Sequence, residues 1–122
     1  MKILVTGSRN WTDEYPIRTR LEQIMGGVPW DAKEPTIMHG DCRGADKIAA
    51  RIALELGYTV EAYPADWTLG RKAGPIRNTQ MVGLLDPSTD LVLAFQLDGS
   101  RGTQHTITAA RKRGVRVEVI TA

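Results

Sequence analysis

The chain has 122 residues of which 42% are hydrophobic, enough for one sizeable core and too few residues for several, so a single domain over residues 1–122 is expected. Sixteen Lys and Arg against fourteen Asp and Glu leave a net charge of +2, and 25% charged residues with twelve Gly and six Pro exclude a disordered or collagen-like chain. The one cysteine, Cys42, excludes an internal disulfide framework and a cysteine metal cluster, which points to a reducing, cytoplasmic setting without a bound metal.

Short apolar runs alternate with helical patterns along the chain, as in a parallel sheet covered by helices, so the class is α/β. The start, Met1 to Gly7, is too short for a signal core or a membrane span, and no targeting segment is expected. Lys2–Thr6 reads as a first strand. Ile17, Leu21, Ile24, Met25 and Val28 then follow helical spacing until Gly26, Gly27 and Pro29 interrupt it. Thr36–His39 is a second strand. Ala45, Ile48, Ala49, Ile52, Ala53 and Leu56 mark one face of a second helix stopped by Gly57. Thr59–Tyr63 is a third strand, and a loop through Trp67 to Gly74 precedes a helix opened by Pro75 and ending near Leu85. Leu91–Phe95, a helix over Thr103–Arg113 stopped by Gly114, and Val115–Ile120 complete the series.

Ile3 to Val5 and Leu91 to Phe95 are continuously apolar, as strands covered on both faces must be. The third and fifth strands alternate with Glu61, Arg116 and Glu118, which marks them as edges. Right-handed crossovers then give a five-stranded parallel sheet of order 3-2-1-4-5, and its winding reverses between strands one and four. Ligands of open α/β sheets sit beyond the carboxyl ends of the strands at such a reversal, so the loops there are the candidate site.

After strand one come Gly7, Ser8, Arg9, Asn10 and Trp11, where a glycine admits close backbone approach, Arg9 can grip a phosphate and Trp11 offers a stacking face; a tight turn with a solvent Arg and a packed Trp is the alternative. After strand four, Asp98, Gly99, Ser100, Arg101, Gly102 and Thr103 feed a helix N-terminus, a natural phosphate seat with Thr103 as its expected cap. Neither the P-loop nor the GxGxxG pattern is present. Strand two ends in His39, Gly40, Asp41, Cys42, Arg43, Gly44, Ala45 and Asp46. Gly44 and Ala45 leave the next helix bare to a ligand there, and Asp46 suits either a ribose hydroxyl or a helix cap. His39 reads as an acid or base or as a hydrogen-bonded packing residue, and Cys42 more as a packing residue than a nucleophile. The segment from Pro64 through Trp67 and Gly70 to Asn78 has the length of a lid. Arg77 and Asn78 lie in a first helical turn, where an Arg opposes the dipole unless an anion pairs with it. Arg111, Lys112, Arg113 and Arg116 read as dipole-compensating surface charge, and Trp30 carries no functional signal.

GSRNW, HGDCRGAD, YPADW, AGPIRN and GTQHTITAA, in that order and strand context, resemble the YspA-type branch of the SLOG superfamily over nearly the whole chain. The resemblance implies a Rossmann-like three-layer α/β/α fold, dimers or higher homo-oligomers, a home in bacteria or their phages, and a nucleotide-derived small-molecule ligand. Relatives of the LOG phosphoribohydrolase type carry a PGGxGTxxE loop and an upstream RKxxM element. Gly99, Gly102 and Thr103 match the phosphate part of that loop, and Arg77 with Met81 the upstream element, with Asn78 in place of Lys. Ser100 stands at the second glycine and Thr106 at the glutamate, so phosphate binding carries over while glycosidic cleavage loses its carboxylate, unless Asp41, Asp46, Asp66 or Asp98 substitutes.

The expected function is therefore binding of a nucleotide or a nucleotide-derived molecule, as a sensor without a separate cofactor. The alternatives are an N-glycoside hydrolase or transferase acting on a nucleoside monophosphate, and single-stranded DNA binding as in the DNA-processing (DprA-like) branch of the superfamily. A charge of +2 with one Phe, three Tyr and three Trp disfavours nucleic acid.

Overall fold

The computed structural model describes residues 1–97 and 99–121. Strands and helices alternate along them: β1 (Lys2–Gly7), α1 (Glu14–Gly26), β2 (Thr36–His39), α2 (Ala45–Leu56), β3 (Thr59–Ala62), α3 (Ala73–Gly83), β4 (Leu91–Gln96), α4 (Arg101–Lys112) and β5 (Arg116–Thr121). The sheet is parallel throughout, in the order β3-β2-β1-β4-β5, with Leu4 of β1 opposite Met38 on one side and Val92 on the other. The strand order follows from burial. β1 and β4 are covered on both faces, whereas β3 exposes Thr59, Glu61 and Ala62, and β5 exposes Arg116, Val119 and Thr121.

Because successive side chains leave a strand on opposite faces, the central strands feed two separate cores. Ile3, Val5, Leu91, Leu93 and Phe95 meet Ile17 and Leu21 of α1 and Ala49 and Ile52 of α2. Leu4, Met38 and Val92 meet Met81 and Val82 of α3 and Ala110 of α4 on the other face. Two helices thus cover each face, and the result is the three-layer α/β/α architecture expected from the patterning. No helix among the described residues is long and apolar enough to cross a membrane.

Three local expectations are corrected. The first helix ends at Gly26, two residues before Val28, because Gly27 caps the carbonyls of Ile24 and Met25. The lid contains a 3-10 segment, Trp67–Lys72, kinked at Gly70 (φ 76°, ψ −149°), and α3 starts at Ala73, leaving Pro75 inside the first turn, where no intrahelical N–H bond is lost. Thr103 is not the cap of α4. The helix starts two residues earlier, Ser100 occupies the cap position without a side-chain cap bond, and its hydroxyl donates to Thr103 Oγ1 at 2.7 Å.

Candidate functional site

The winding reverses between β1 and β4, and at their carboxyl ends the crevice holds a cavity of about 610 Å³. Its wall comes from four segments: Gly7, Ser8 and Arg9 at the end of β1 and just beyond it; Gly40, Cys42 and Asp46 around the start of α2; Trp67 through Met81; and Gly99 through Thr103 at the start of α4.

The first two segments hold each other through glycines. A Cβ on Gly7 would stand 2.4 Å from that of Ala45 and 2.8 Å from the carbonyl oxygen of Phe95. Gly44 has φ +79°, and a Cβ there would stand 2.4 Å from the Ser8 carbonyl oxygen. That carbonyl accepts the Ala45 N–H at 3.3 Å, and Ser8 N donates to Phe95 O at 3.0 Å. The bare start of α2 is therefore filled by the β1 loop, which corrects the expectation that Gly44 and Ala45 open it to a ligand; neither lines the cavity. Trp11 is corrected as well. It is 2% exposed, packs edge-on against Phe95 with centroids 5.6 Å apart, and donates from Nε1 to Asp13 O at 2.6 Å, so its ring belongs to the core. His39, 3% exposed, lies off the cavity wall. Its Nδ1 accepts from Asp41 N at 3.0 Å, and burial pushes its pKa down, so the ring is held neutral as a packing residue.

Behind the cavity, α3 contributes two buried polar side chains. Arg77 is 8% exposed and donates from Nη1 to Gly40 O at 2.5 Å and to Tyr63 O at 3.3 Å, and from Nε to Asn78 Oδ1 at 2.8 Å. Its Nη2 reaches only Cys42 Sγ, at 3.7 Å, a weak acceptor. Among the described residues no carboxylate lies within ion-pair distance of this guanidinium. A Cβ on Gly40 would stand 2.7 Å from Arg77 Cζ, so the glycine is what lets the guanidinium lie flat against the β2 loop. Asn78 reaches from Nδ2 to Gly102 O at 3.4 Å and ties α3 to the first turn of α4.

Asp46 is 5% exposed, and its Oδ2 accepts from Gly40 N at 2.9 Å and Cys42 N at 3.4 Å, folding the β2 loop back over the helix start. Burial pushes its carboxyl up to about 6, against the two amides and the Arg77 guanidinium, which favour the charged form. A carboxyl poised near neutrality in a cavity can accept a hydroxyl or exchange a proton.

Opposite stands the first turn of α4. It holds no acidic residue, and Gly102 and Thr103 line the cavity. A first helical turn carries free N–H groups and the positive end of the helix dipole, and this one borders the cavity. Thr106, at the glutamate position of the related loop, is fully buried and donates to Gly102 O at 3.2 Å, so it puts no group into the cavity. Asp66 caps Thr68 N at 3.2 Å and Asp41 pairs with Lys47, which leaves both outside the main cavity wall. Asp98 lies outside the described residues.

Sequence reasoning missed Trp67, Arg71, Arg101 and His105 as wall residues. His105 falls one helical turn after Arg101, and its Nδ1 is buried without a hydrogen-bond partner among the described residues. Trp67 is 55% exposed with the Arg9 guanidinium 5.7 Å above its ring, so it is the aromatic at the cavity mouth that Trp11 was expected to be. The signal was available: Trp67 sits between Asp66 and Thr68 in a polar stretch without core periodicity. No group of three metal-ligating side chains occurs among the described residues.

A family model described as the YspA, cpYpsA-related SLOG family matches residues 1–70. The chain is also similar to the Gene 61 protein of Mycobacterium phage D29, 38% identical over an alignment that covers 95% of this chain and 93% of that protein. No solved structure matches. The chain belongs to the YspA, cpYpsA-related SLOG family.

Proposed function

We propose that this member of the YspA, cpYpsA-related SLOG family binds a nucleotide-derived anion at the carboxyl end of its sheet, within a single domain spanning residues 1–122. The phosphate lies against the first turn of α4 and Arg77, the ribose hydroxyls near Asp46, and the base along Pro75, Met81 and Trp67. One observation carries this reading. Arg77 is a buried guanidinium on a cavity wall with no carboxylate within ion-pair distance among the described residues, Asp46 and Asp41 acting on it only at longer range, and it shares that wall with a helix N-terminus whose first turn holds no acid. A buried cation whose carboxylates lie beyond ion-pair distance is incompletely compensated, and a bound phosphate in direct contact with it offsets part of the desolvation cost.

The test is thermal unfolding with AMP and with inorganic phosphate. At a hundredfold excess over Kd the ligand stabilises by about 2.7 kcal/mol, a rise of roughly 10 °C for a chain of this size. No rise with either compound at millimolar concentration, or an equal rise in Arg77→Met, refutes the reading.

A second reading rests on Asp46, whose carboxyl is pushed up to about 6 on the same wall. Such a group can take a proton from water as the water attacks the anomeric carbon and return it to the departing base, which hydrolyses the N-glycosidic bond. Release of free base from AMP, lost in Asp46→Asn while AMP still binds, supports it. Binding without turnover at high protein concentration leaves the sensor. Thr106, buried and back-bonded where the phosphoribohydrolase-type loop has its glutamate, favours the sensor.

A further inference from the structure

Beyond the Arg9–Trp67 pair lies a second cavity of about 470 Å³, walled by Asp41, Arg43, Pro64 and Ala65. It shares Arg9, Gly40, Cys42 and Trp67 with the main cavity, so the two chambers meet at the stacked guanidinium and indole. Its charge is one-sided. Arg9 and Arg43 are unpaired among the described residues, while the carboxylate of Asp41 is engaged by Lys47 and held below its usual range by that contact. The main cavity has the same bias, with Arg9, Arg71, Arg77 and Arg101 against Asp46 as the described carboxylate on its wall. A single phosphate at α4 leaves most of this positive charge unmatched.

We infer that the ligand of the proposed nucleotide site is a nucleoside diphosphate bearing a second ring on its distal phosphate, with that ring in the chamber beside Trp67 and Arg43. This extension rests on the nucleotide-binding reading. Arg9 is common to both chambers and is the only described cation that is, so it holds the linking pyrophosphate, and the bound anion draws it off the Trp67 face. The second ring then takes the place of the guanidinium against the indole and between Pro64 and Ala65. Gly70, at φ +76° with open space around it, is where the lid can adjust to admit the ring.

The experiment is calorimetric titration of the full chain with AMP, ADP and ADP-ribose, with Trp fluorescence read in parallel. ADP-ribose is expected to bind about tenfold or more tighter than AMP and tighter than ADP, and to quench fluorescence in the wild type but not in Trp67→Phe. In Arg43→Ala, an exposed position, the ratio of ADP-ribose to AMP affinity falls to within twofold. Binding of all three compounds with equal affinity, an unchanged ratio in Arg43→Ala, or quenching that survives in Trp67→Phe overturns the second chamber and leaves the nucleotide site standing. Failure of AMP, ADP and ADP-ribose alike to bind overturns the nucleotide reading itself.

Discussion

Replacing Asp46 with Asn should make the protein more stable at neutral pH, although it removes a charged group from a hydrogen-bonded turn. The carboxyl titrates at about 6 in the folded chain against an ordinary 3.8, and burial is the main cause. For an acid whose folded pKa is raised, the folded state holds more protons than the unfolded one between those two values. Stability therefore falls as pH climbs from about 4 to 6 and stays reduced above that. At 1.36 kcal/mol per pH unit the ionised carboxylate costs about 3 kcal/mol at pH 7 to 8. Asn mimics the protonated acid: its Oδ1 can accept from the Gly40 and Cys42 amides as Oδ2 does now, and its neutral head needs no ion solvation.

Urea unfolding followed by Trp fluorescence between pH 4 and 8 reads this directly. With a urea slope of about 2 kcal/mol per molar, the variant's midpoint should lie roughly 1.5 M above wild type at pH 8 and converge with it near pH 4. His39 slopes the other way, since burial lowers its pKa and the unfolded chain takes up its proton first. Both proteins carry it, so the difference between their curves isolates Asp46. A variant less stable than wild type at pH 8, or a difference that does not change with pH, refutes the reasoning. A stability gain at this residue also accords with its placement for a ligand, because side chains kept at a cost to the fold cluster at functional sites.

Two left-handed glycines separate backbone strain from packing. Gly44→Ala meets the Ser8 carbonyl oxygen at 2.4 Å as well as an unfavourable φ, and should lose more than about 2 kcal/mol in urea unfolding. Gly99→Ala, at φ +78° in open space, should lose only about 1 kcal/mol, and equal losses at both sites would discard the packing argument. Trp11→Phe should destabilise by about 1–3 kcal/mol through the lost Nε1 bond to Asp13 O, while AMP affinity stays within twofold; a large loss of affinity would return Trp11 to the site.

The strand order was legible because burial on two faces against one leaves a compositional trace. Ile3 to Val5 and Leu91 to Phe95 can be uninterrupted only in central strands, and Glu61 and Glu118 can stand only on edges. Parallel pairing and right-handed crossovers then leave few topologies, and the cavity follows from the reversal they create. What could not be read was which short-range groups each glycine faces. In GSRNW and HGDCRGAD, glycines next to polar residues suggest a phosphate, yet Gly7, Gly40 and Gly44 are crowded by Ala45, Arg77 and Ser8, contacts made between segments 30 or more residues apart.

That distinction bears on what the paired motifs do. If the glycines were there to admit ligand, the cavity floor would be bare backbone. Instead they bring protein to protein, and their close approach sets Arg77 flat on the Gly40 carbonyl and brings the Gly40 amide onto Asp46. Arg9, Trp67 and the first turn of α4 complete the cavity wall. On the proposed reading, recognition falls to side chains held by those contacts, with a fixed cation at Arg77, a poised acid at Asp46 and an adjustable cation at Arg9. In that proposal the fixed cation sets where a first phosphate would sit, whereas the adjustable one shared by two chambers sets how much more ligand would follow it.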